Sequence, residues 1–458
     1  MSLKVLYIAH NHPAVRPGGA EQHALELHRA MSATPGMESV LLAKGGPPVG
    51  PIGRTHEGTC VAPIGSATNE YFMYTDGYTF DYLNGTMTGK DFYTKHFRNF
   101  LEAIRPDVVH FQHTLFLGYD LVREVANTLP GAAILYTLHE YLPICAREGQ
   151  MVRTSNNELC EEETPHRCHG CFPNTSPQTF FLRKRFIQSQ LGLVDLFLAP
   201  SRFLMQRYID WGIPANKIRF QDYGRISQAI GSDVSRTRRN RLGFFGQLSG
   251  YKGIDVLLEA MRLLLVEDQA SPTTRRSGTI ASGNGHGSHG AHDSERVTLK
   301  VHGANLDLQD GEFKRLFARL LEDTRDNVTL VGKYKPEEMP GLMRDVDWVV
   351  VPSIWWENSP LVIQEAFMNG RPVICSNVGG MAEKVTDGVN GLHFRVGDPS
   401  SLAETVRRAV ESPATWDHMR KGIPRIYSLG DQIAELRGLY QQLVEKKSAR
   451  RPFDVAIV

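Results

Sequence analysis

The sequence predicts an α/β protein built from two doubly wound, parallel-sheet domains, and three observations carry that reading. At 458 residues the chain exceeds what one hydrophobic core usually organises. Short apolar runs that end at Gly, His or Ser alternate with amphipathic helical runs, the pattern of βαβ units. That pattern breaks off and then begins again near residue 240. The expected organisation is an N-terminal domain over 1–205, a linker over 206–240 and a C-terminal domain over 241–430. A last helix and tail over 431–458 are expected to pack back towards the N-terminal domain.

In the first half, KVLYIAH is a β-rich run, followed by the turn Pro17-Gly18-Gly19 and the amphipathic helix AEQHALELHRAM. The helical FRNFLEAI leads into DVVHFQH, AAILYTLHE reads as a further strand, and FFLRKRFIQSQLG is a helix before the strand DLFLAPS. Ligands of such sheets bind beyond the carboxyl ends of the strands. His10, His113, His139 and Ser201, just past those ends, are therefore candidates by topology alone. His110 and His113, at i and i+3, fall on opposite faces of a strand. In the second half the strands are RLGFFGQ, VTLKVHG, NVTLVG, DWVVVPS, PVICSNVGG and HFRVGD; YKGIDVLLEAMRLLLVE and FKRLFARLLED are helices. No fixed-period repeat is evident, which argues against a solenoid.

Composition excludes several classes. A net charge of +1 gives no broad attraction to nucleic acid or to an anionic membrane. The longest apolar run, around Val349 to Trp356, is too short to span a bilayer. The opening residues lack the regions of a signal peptide, so a cytoplasmic protein with reduced thiols is expected. Residues 266–296 are rich in Gly, Ser, Thr and His and poor in large apolar side chains, and they read as a disordered loop.

The chemistry concentrates in WWENSPLVIQEAFMNGRPVI, residues 355–374. Ser359-Pro360 reads as an N-cap followed by a proline at the first helical position, where a missing N–H costs nothing. The helix LVIQEAFMN stops at Gly370, with Pro372 shortly beyond. Its first turn offers free N–H groups and a partial positive charge suited to phosphate. Glu357 precedes that turn, and Glu365 lies five residues after Pro360, about 7–8 Å along the axis. A diphosphate at the helix start would therefore have a carboxylate on each side. The second element is FFGQLSGYKGIDVLLEA, in which Lys252 follows a strand that ends near Gly246 and can reach a diphosphate. RPGGAEQHALEL lacks the G-x-G-x-x-G spacing, so nicotinamide binding is not supported; Gly18 and Gly19 instead allow close approach of the backbone to a ligand.

The ENSPLVIQE stretch resembles the Glu-x7-Glu motif of the family 4 retaining glycosyltransferases. The continuation EAFMNGRPVICSNVGGMAEKVTDGVNGLHFRVGD, together with residues 3–28, 240–260 and 330–400, extends the likeness over most of the chain. The resemblance implies the GT-B fold, two Rossmann-like domains facing across a cleft, and a nucleotide-diphosphate sugar as donor. It implies that Glu365 binds the ribose, Glu357 the transferred sugar, and the backbone N–H groups of Leu361 and Val362, beside Ser359, the phosphate. Gly18 and Gly19 would face the donor phosphates, and His139 the reacting sugar. Family members commonly carry Gly-Arg where this chain has Gly246-Gln247, which leaves Lys252 as the main cation for the leaving diphosphate. Transfer would proceed with retention and without a protein nucleophile or a catalytic metal. The acceptor is expected to be a glycan or a lipid-linked molecule of polysaccharide or glycoconjugate biosynthesis. A sugar-nucleotide epimerase or phosphorylase of the same fold, or a metal-stabilised interaction module, are the alternatives.

Two features stand apart. Cys145, Cys160, Cys168 and Cys171, separated by 14, 7 and 2 residues, read as a structural zinc site in a reducing compartment, with an Fe–S centre less favoured. Redox thiols, or thiols without metal, are the other readings. The basic-aromatic run FFLRKRFIQSQL either packs its aromatic face on the sheet or rests on a membrane surface, the latter suiting a lipid-linked acceptor at an inner membrane. Asp345 and Asp347 form an Asp-x-Asp pair, but they lead into a buried strand and are given no metal. Oligomeric state is not legible.

Overall fold

The computed structural model describes residues 2–15, 18–45, 60–66, 69–75, 79–226, 236–270 and 296–450. The chain forms two compact units, residues 1–226 with 427–458, and residues 227–426.

The first unit begins with β1 (Leu3–Ala9), α1 (Gly19–Ser32), β2 (Met37–Gly45), β3 (Val61–Pro63), β4 (Glu70–Tyr74) and the small hairpin β5 (Phe80–Asp81) and β6 (Thr86–Met87). There follow α2 (Lys90–Ile104), β7 (Val108–Phe111), α3 (Asp120–Thr128), β8 (Ala133–Thr137), α4 (Pro165–Cys171), α5 (Pro177–Leu191), β9 (Leu196–Ala199), α6 (Arg202–Trp211) and β10 (Ile218–Phe220). The sheet order is β10-β9-β8-β7-β1-β2-β4-β3, parallel except that β3 runs antiparallel to β4. Continuous apolar strands such as β1, β7 and β8 are buried along most of their length, as a sheet covered on both faces requires. The unit continues past the expected end at 205, because Ile218–Phe220 add a parallel edge strand to β9.

The second unit comprises β11 (Arg241–Gln247), α7 (Ile254–Ala270), β12 (Thr298–Ala304), α8 (Gly311–Asp323), β13 (Val328–Gly332), α9 (Met339–Arg344), β14 (Trp348–Val351), α10 (Leu361–Met368), β15 (Val373–Ser376), α11 (Gly379–Lys384), β16 (Gly391–Phe394), α12 (Pro399–Val410) and α13 (Pro413–Lys421). Its sheet, β13-β12-β11-β14-β15-β16, is wholly parallel. Most of the segment expected to be a disordered loop, 271–295, lies outside the described residues, whereas 266–270 complete α7.

The final helix, α14 (Leu429–Arg450), returns to the first unit. Its buried Tyr440 hydroxyl is shared with the Tyr7 hydroxyl at 3.0 Å and His110 Nδ1 at 2.7 Å, while His110 Nε2 meets Thr137 Oγ1 at 2.7 Å. His110 is therefore a structural histidine, and burial pushes its pKa down to about 3. Tyr440→Phe would leave two buried polar groups short of a partner. The expected cost is about 1–3 kcal/mol, read by urea unfolding of the intact chain; a change below about 0.5 kcal/mol would show that the hydroxyl is dispensable.

Candidate functional site

In the second unit the site grows from the end of β14. After Val351 the chain runs through Pro352 and Ser353 into the loop that carries Trp355 and Glu357. Glu357 is buried, and its Oε1 accepts from Lys252 Nζ at 2.5 Å, Ser353 Oγ at 2.8 Å and Trp355 Nε1 at 3.0 Å. Burial opposes the charge on this carboxyl, yet the charge and hydrogen bond of Lys252, with the hydrogen bonds of Ser353 and Trp355, hold its pKa below the usual range. All three donors converge on Oε1, and Oε2 accepts from no described residue.

Two glycine contacts hold this constellation in place. Lys252 ends a short 3₁₀ turn, Gly250–Lys252, and the chain then passes through Gly253 at φ +65°. A Cβ at 253 would lie 2.0 Å from the Pro352 carbonyl oxygen, so only glycine lets the lysine turn rest on the end of β14. The Tyr251 carbonyl closes the contact by accepting from the Ile354 N–H at 3.0 Å. Behind Glu357, the Gly380 N–H donates to the Glu357 carbonyl at 2.7 Å, and a Cβ on Gly380 would sit 1.6 Å from the Asn358 carbonyl oxygen. The sequence reading passed over Gly379-Gly380 as part of the site; two glycines opening a helix were the signal.

Helix α10 starts one residue later than expected. Pro360, not Ser359, is the N-cap residue, no side chain caps the helix, and Ser359 is buried. The N–H groups of Leu361 and Val362 donate to no described residue, as the first turn of a helix leaves them. Glu365 lies within α10, close enough for its charge to add to the burial that raises the Tyr334 phenol pKa. Tyr334 packs edge-on against the Phe245–His302 stack, whose ring centroids are 4.6 Å apart. Gln247 is exposed at the end of β11.

The strand-end histidines gather in the first unit. Past β8, His139 meets the Tyr223 hydroxyl through Nδ1 at 2.6 Å and Gln112 Oε1 through Nε2 at 3.1 Å, so both ring nitrogens are engaged. Burial, with neighbouring histidines adding to it, pushes its pKa well down, and the ring is neutral. Past β1 and β7, His10 and His113 lie with ring centroids 4.2 Å apart, backed by Glu21 and Glu140. Ser201 has a structural role, because its Oγ caps α6 by accepting from the Leu204 N–H. Gly18 and Gly19 open α1, with Gly18 in an extended conformation. Arg225 ends the first unit, 3.8 Å from Glu26.

Two expectations are corrected. All four insertion cysteines line one pocket, with Met151 and Phe172, but no three His, Cys, Asp or Glu side chains among the described residues form a metal-holding group. Cys160 Sγ instead donates to the Glu162 carbonyl at 3.2 Å, and burial raises Cys145 and Cys160 and pushes Cys168 up to about 12. With no metal-holding group among the described residues, the structure supports neither the zinc nor the Fe–S reading. In α5, Phe180 and Arg183 are buried, Arg183 donates to the carbonyls of Leu83, Leu142 and Pro143, Lys184 pairs with Glu163 at 3.0 Å, and Phe181, Leu182 and Arg185 are exposed. The other correction is that Lys252 sits in a 3₁₀ turn ahead of α7, not at a helix start. No described helix is long and apolar enough to cross a membrane.

Comparison with known proteins follows the same division. Residues 17–220 match the family model for Glycosyltransferase Family 4, and residues 228–425 match that for Glycosyl transferases group 1. A D-inositol 3-phosphate glycosyltransferase of Nocardioides sp. is 26% identical over 329 residues, 70% of this chain and 64% of that protein. A putative glycosyltransferase of Bacillus subtilis, YtcC, is 26% identical over 283 residues, 57% of this chain and 64% of that protein. The chain thus spans just under two thirds of the length of these relatives. Sucrose-phosphate synthase from Thermosynechococcus elongatus superposes with a TM-score of 0.67 at 16% identity, covering 97% of this chain and all of that one. Anabaena HepE in complex with UDP-glucose superposes with a TM-score of 0.59 at 15% identity, covering 98% of this chain and all of that one. These structures establish the fold, two Rossmann-like units of the GT-B type. The first half of the chain thus matches the Glycosyltransferase Family 4 model and the second half the Glycosyl transferases group 1 model, on a fold of the GT-B type.

Proposed function

We propose that the protein moves a sugar from a nucleotide-diphosphate sugar to a hydroxyl of a glycan or lipid-linked acceptor, with retention of configuration, in polysaccharide or glycoconjugate biosynthesis. The observation that carries this reading is Glu357: a buried carboxylate whose Oε1 is saturated by Lys252, Ser353 and Trp355 while Oε2 keeps its capacity to accept. Such an oxygen, rigidly aimed, suits the hydroxyls of a sugar ring. It is a poor general acid or nucleophile, because proton or bond gain would break the pairing with Lys252. The N–H groups of Leu361 and Val362 and the Lys252 ammonium take the diphosphate, and Glu365 takes the ribose hydroxyls. In the reaction the C1–O bond to the diphosphate breaks with its electron pair leaving on phosphate. The acceptor oxygen bonds to C1 on the same face and gives up its proton to that phosphate. Stabilising the departing charge is then the main work of the site. With Gln247 in place of an arginine, Lys252 supplies the side-chain cation.

A thermal-shift panel of UDP-, GDP-, ADP- and dTDP-sugars tests this directly. A true donor at a hundredfold its Kd stabilises by about 2.7 kcal/mol, roughly 5–10 °C for a unit of this size. The absence of any shift with every nucleotide sugar would overturn the reading.

A further inference from the structure

The chain order of the first sheet gathers four titratable side chains to which the proposed function gives no role. β1 connects through α1 to β2 on one side, and the chain later returns to place β7 on the other side of β1. The carboxyl ends of β1 and β7 therefore flank a topological switch point, where sheets of this kind hold ligands. Four polar side chains meet there: His10 just past β1, His113 past β7, Glu21 in the first turn of α1 and Glu140 past β8.

Their hydrogen bonds fix the protons. The Leu115 N–H donates to His113 Nδ1 at 3.0 Å, so His113 carries its proton on Nε2, which faces Glu140 Oε1 at 3.3 Å. Glu140 Oε2 in turn accepts from the Leu142 N–H. His10 Nε2 meets Glu21 Oε1 at 3.0 Å. The Glu21 carboxyl folds back over Gly18, where any Cβ would collide with Oε2 at 2.3 Å. Burial opposes the Glu21 charge, yet the His10 bond holds its pKa below the usual range; burial also pushes His10 below its ordinary value. An ionised Glu21 next to a neutral His10 places the His10 proton on Nε2. Nδ1 is left as a bare acceptor with no partner among the described residues. The four side chains remain 9–22% exposed, so the group is reachable. Neither carboxylate pairs with a described lysine or arginine, and an anion placed here would meet two carboxylates uncompensated.

We propose that the Glu21–His10 pair, with His113–Glu140 beside it, is the subsite where the first unit takes an uncharged sugar or polyol hydroxyl of the acceptor, His10 Nδ1 accepting its hydrogen bond. Glu21 is a positioning residue that holds the His10 ring and its tautomer. This inference rests on the glycosyltransferase reading and names its acceptor chemistry.

With the donor identified by thermal shift, transfer is measured to glucose, N-acetylglucosamine, myo-inositol and octyl glucoside. His10→Phe keeps a ring against His113 but removes Nδ1. The expected result is a fall of about 30-fold in acceptor kcat/KM, as the loss of one hydrogen bond gives, with donor Kd unchanged within about twofold. His10→Gln, which restores an acceptor oxygen, should recover part of that loss. Acceptor kcat/KM within twofold of wild type in His10→Phe overturns the proposal. So does an equal loss of donor binding, which marks a structural role. A wild-type chain that binds a nucleotide sugar yet transfers to none of the four neutral acceptors also overturns it, while leaving the donor reading standing. A chain that binds no nucleotide sugar removes the donor reading, and this one with it.

Discussion

Glu357→Gln is expected to lower kcat/KM for the donor on the order of 100-fold, with the fold unchanged by circular dichroism. The amide keeps the shape of the side chain but removes the charge that Lys252 pairs with at 2.5 Å, and it places an N–H₂ group where an acceptor oxygen stood. Lys252, stacked 5.5 Å over Trp355, loses its anchor and no longer presents its ammonium in one position. Steady-state kinetics separate the two effects: a higher KM reports lost hydroxyl binding, and a lower kcat reports lost stabilisation of the leaving diphosphate. A variant with donor kcat/KM within threefold of wild type would exclude Glu357 from the site.

The largest effect on stability is expected at Asp347, away from any ligand. This carboxylate is fully buried; Oδ1 meets Arg236 at 2.9 Å and Arg239 at 3.4 Å, and Oδ2 accepts the Arg241 N–H at 3.1 Å. Its backbone carbonyl accepts from Trp416 Nε1 at 2.6 Å, and the Arg239 guanidinium lies 3.7 Å over the Trp416 ring. Asp347→Ala would remove the buried carboxylate that Arg236, Arg239 and Arg241 share, at about 3–5 kcal/mol. Calorimetry should show the transition of the second unit falling by roughly 6–20 °C. A loss below about 1 kcal/mol would mean that the arginines turn out to solvent at little cost. The same geometry explains why Asp345-x-Asp347 is no metal motif: the second carboxylate is consumed by arginines.

Local pattern carried much of this protein. The strand and helix alternation is visible because a parallel sheet covered on both faces needs continuous apolar strands, and VVHF, AILYT and WVVV supply them. Short or weakly apolar strands escaped: β10 has three residues and β3 runs antiparallel at an edge, where burial writes little pattern. The Ser359 N-cap failed for a different reason. Ser-Pro reads equally well as a cap or as the residue before one, and the buried loop around Glu357 decided which. The four cysteines were rightly placed together by their spacing, but spacing does not say whether thiols converge on a point or merely line a wall.

By itself, the sequence determined that there are two α/β halves, that ENSPLVIQE carries a helix start between two glutamates, and that Lys252 and the strand-end histidines are the chemical candidates. These follow from contacts within a few residues of one another, which periodicity and turn chemistry record. Only the tertiary structure decided that Lys252 bonds Glu357 across 105 positions, that Tyr440 completes the first unit from 433 residues beyond Tyr7, and that His10 and His113 stand together, each backed by a carboxylate. The physical reason is that strand order, not sequence order, sets which side chains meet, and the order β7-β1-β2 places next to one another residues that no local pattern links.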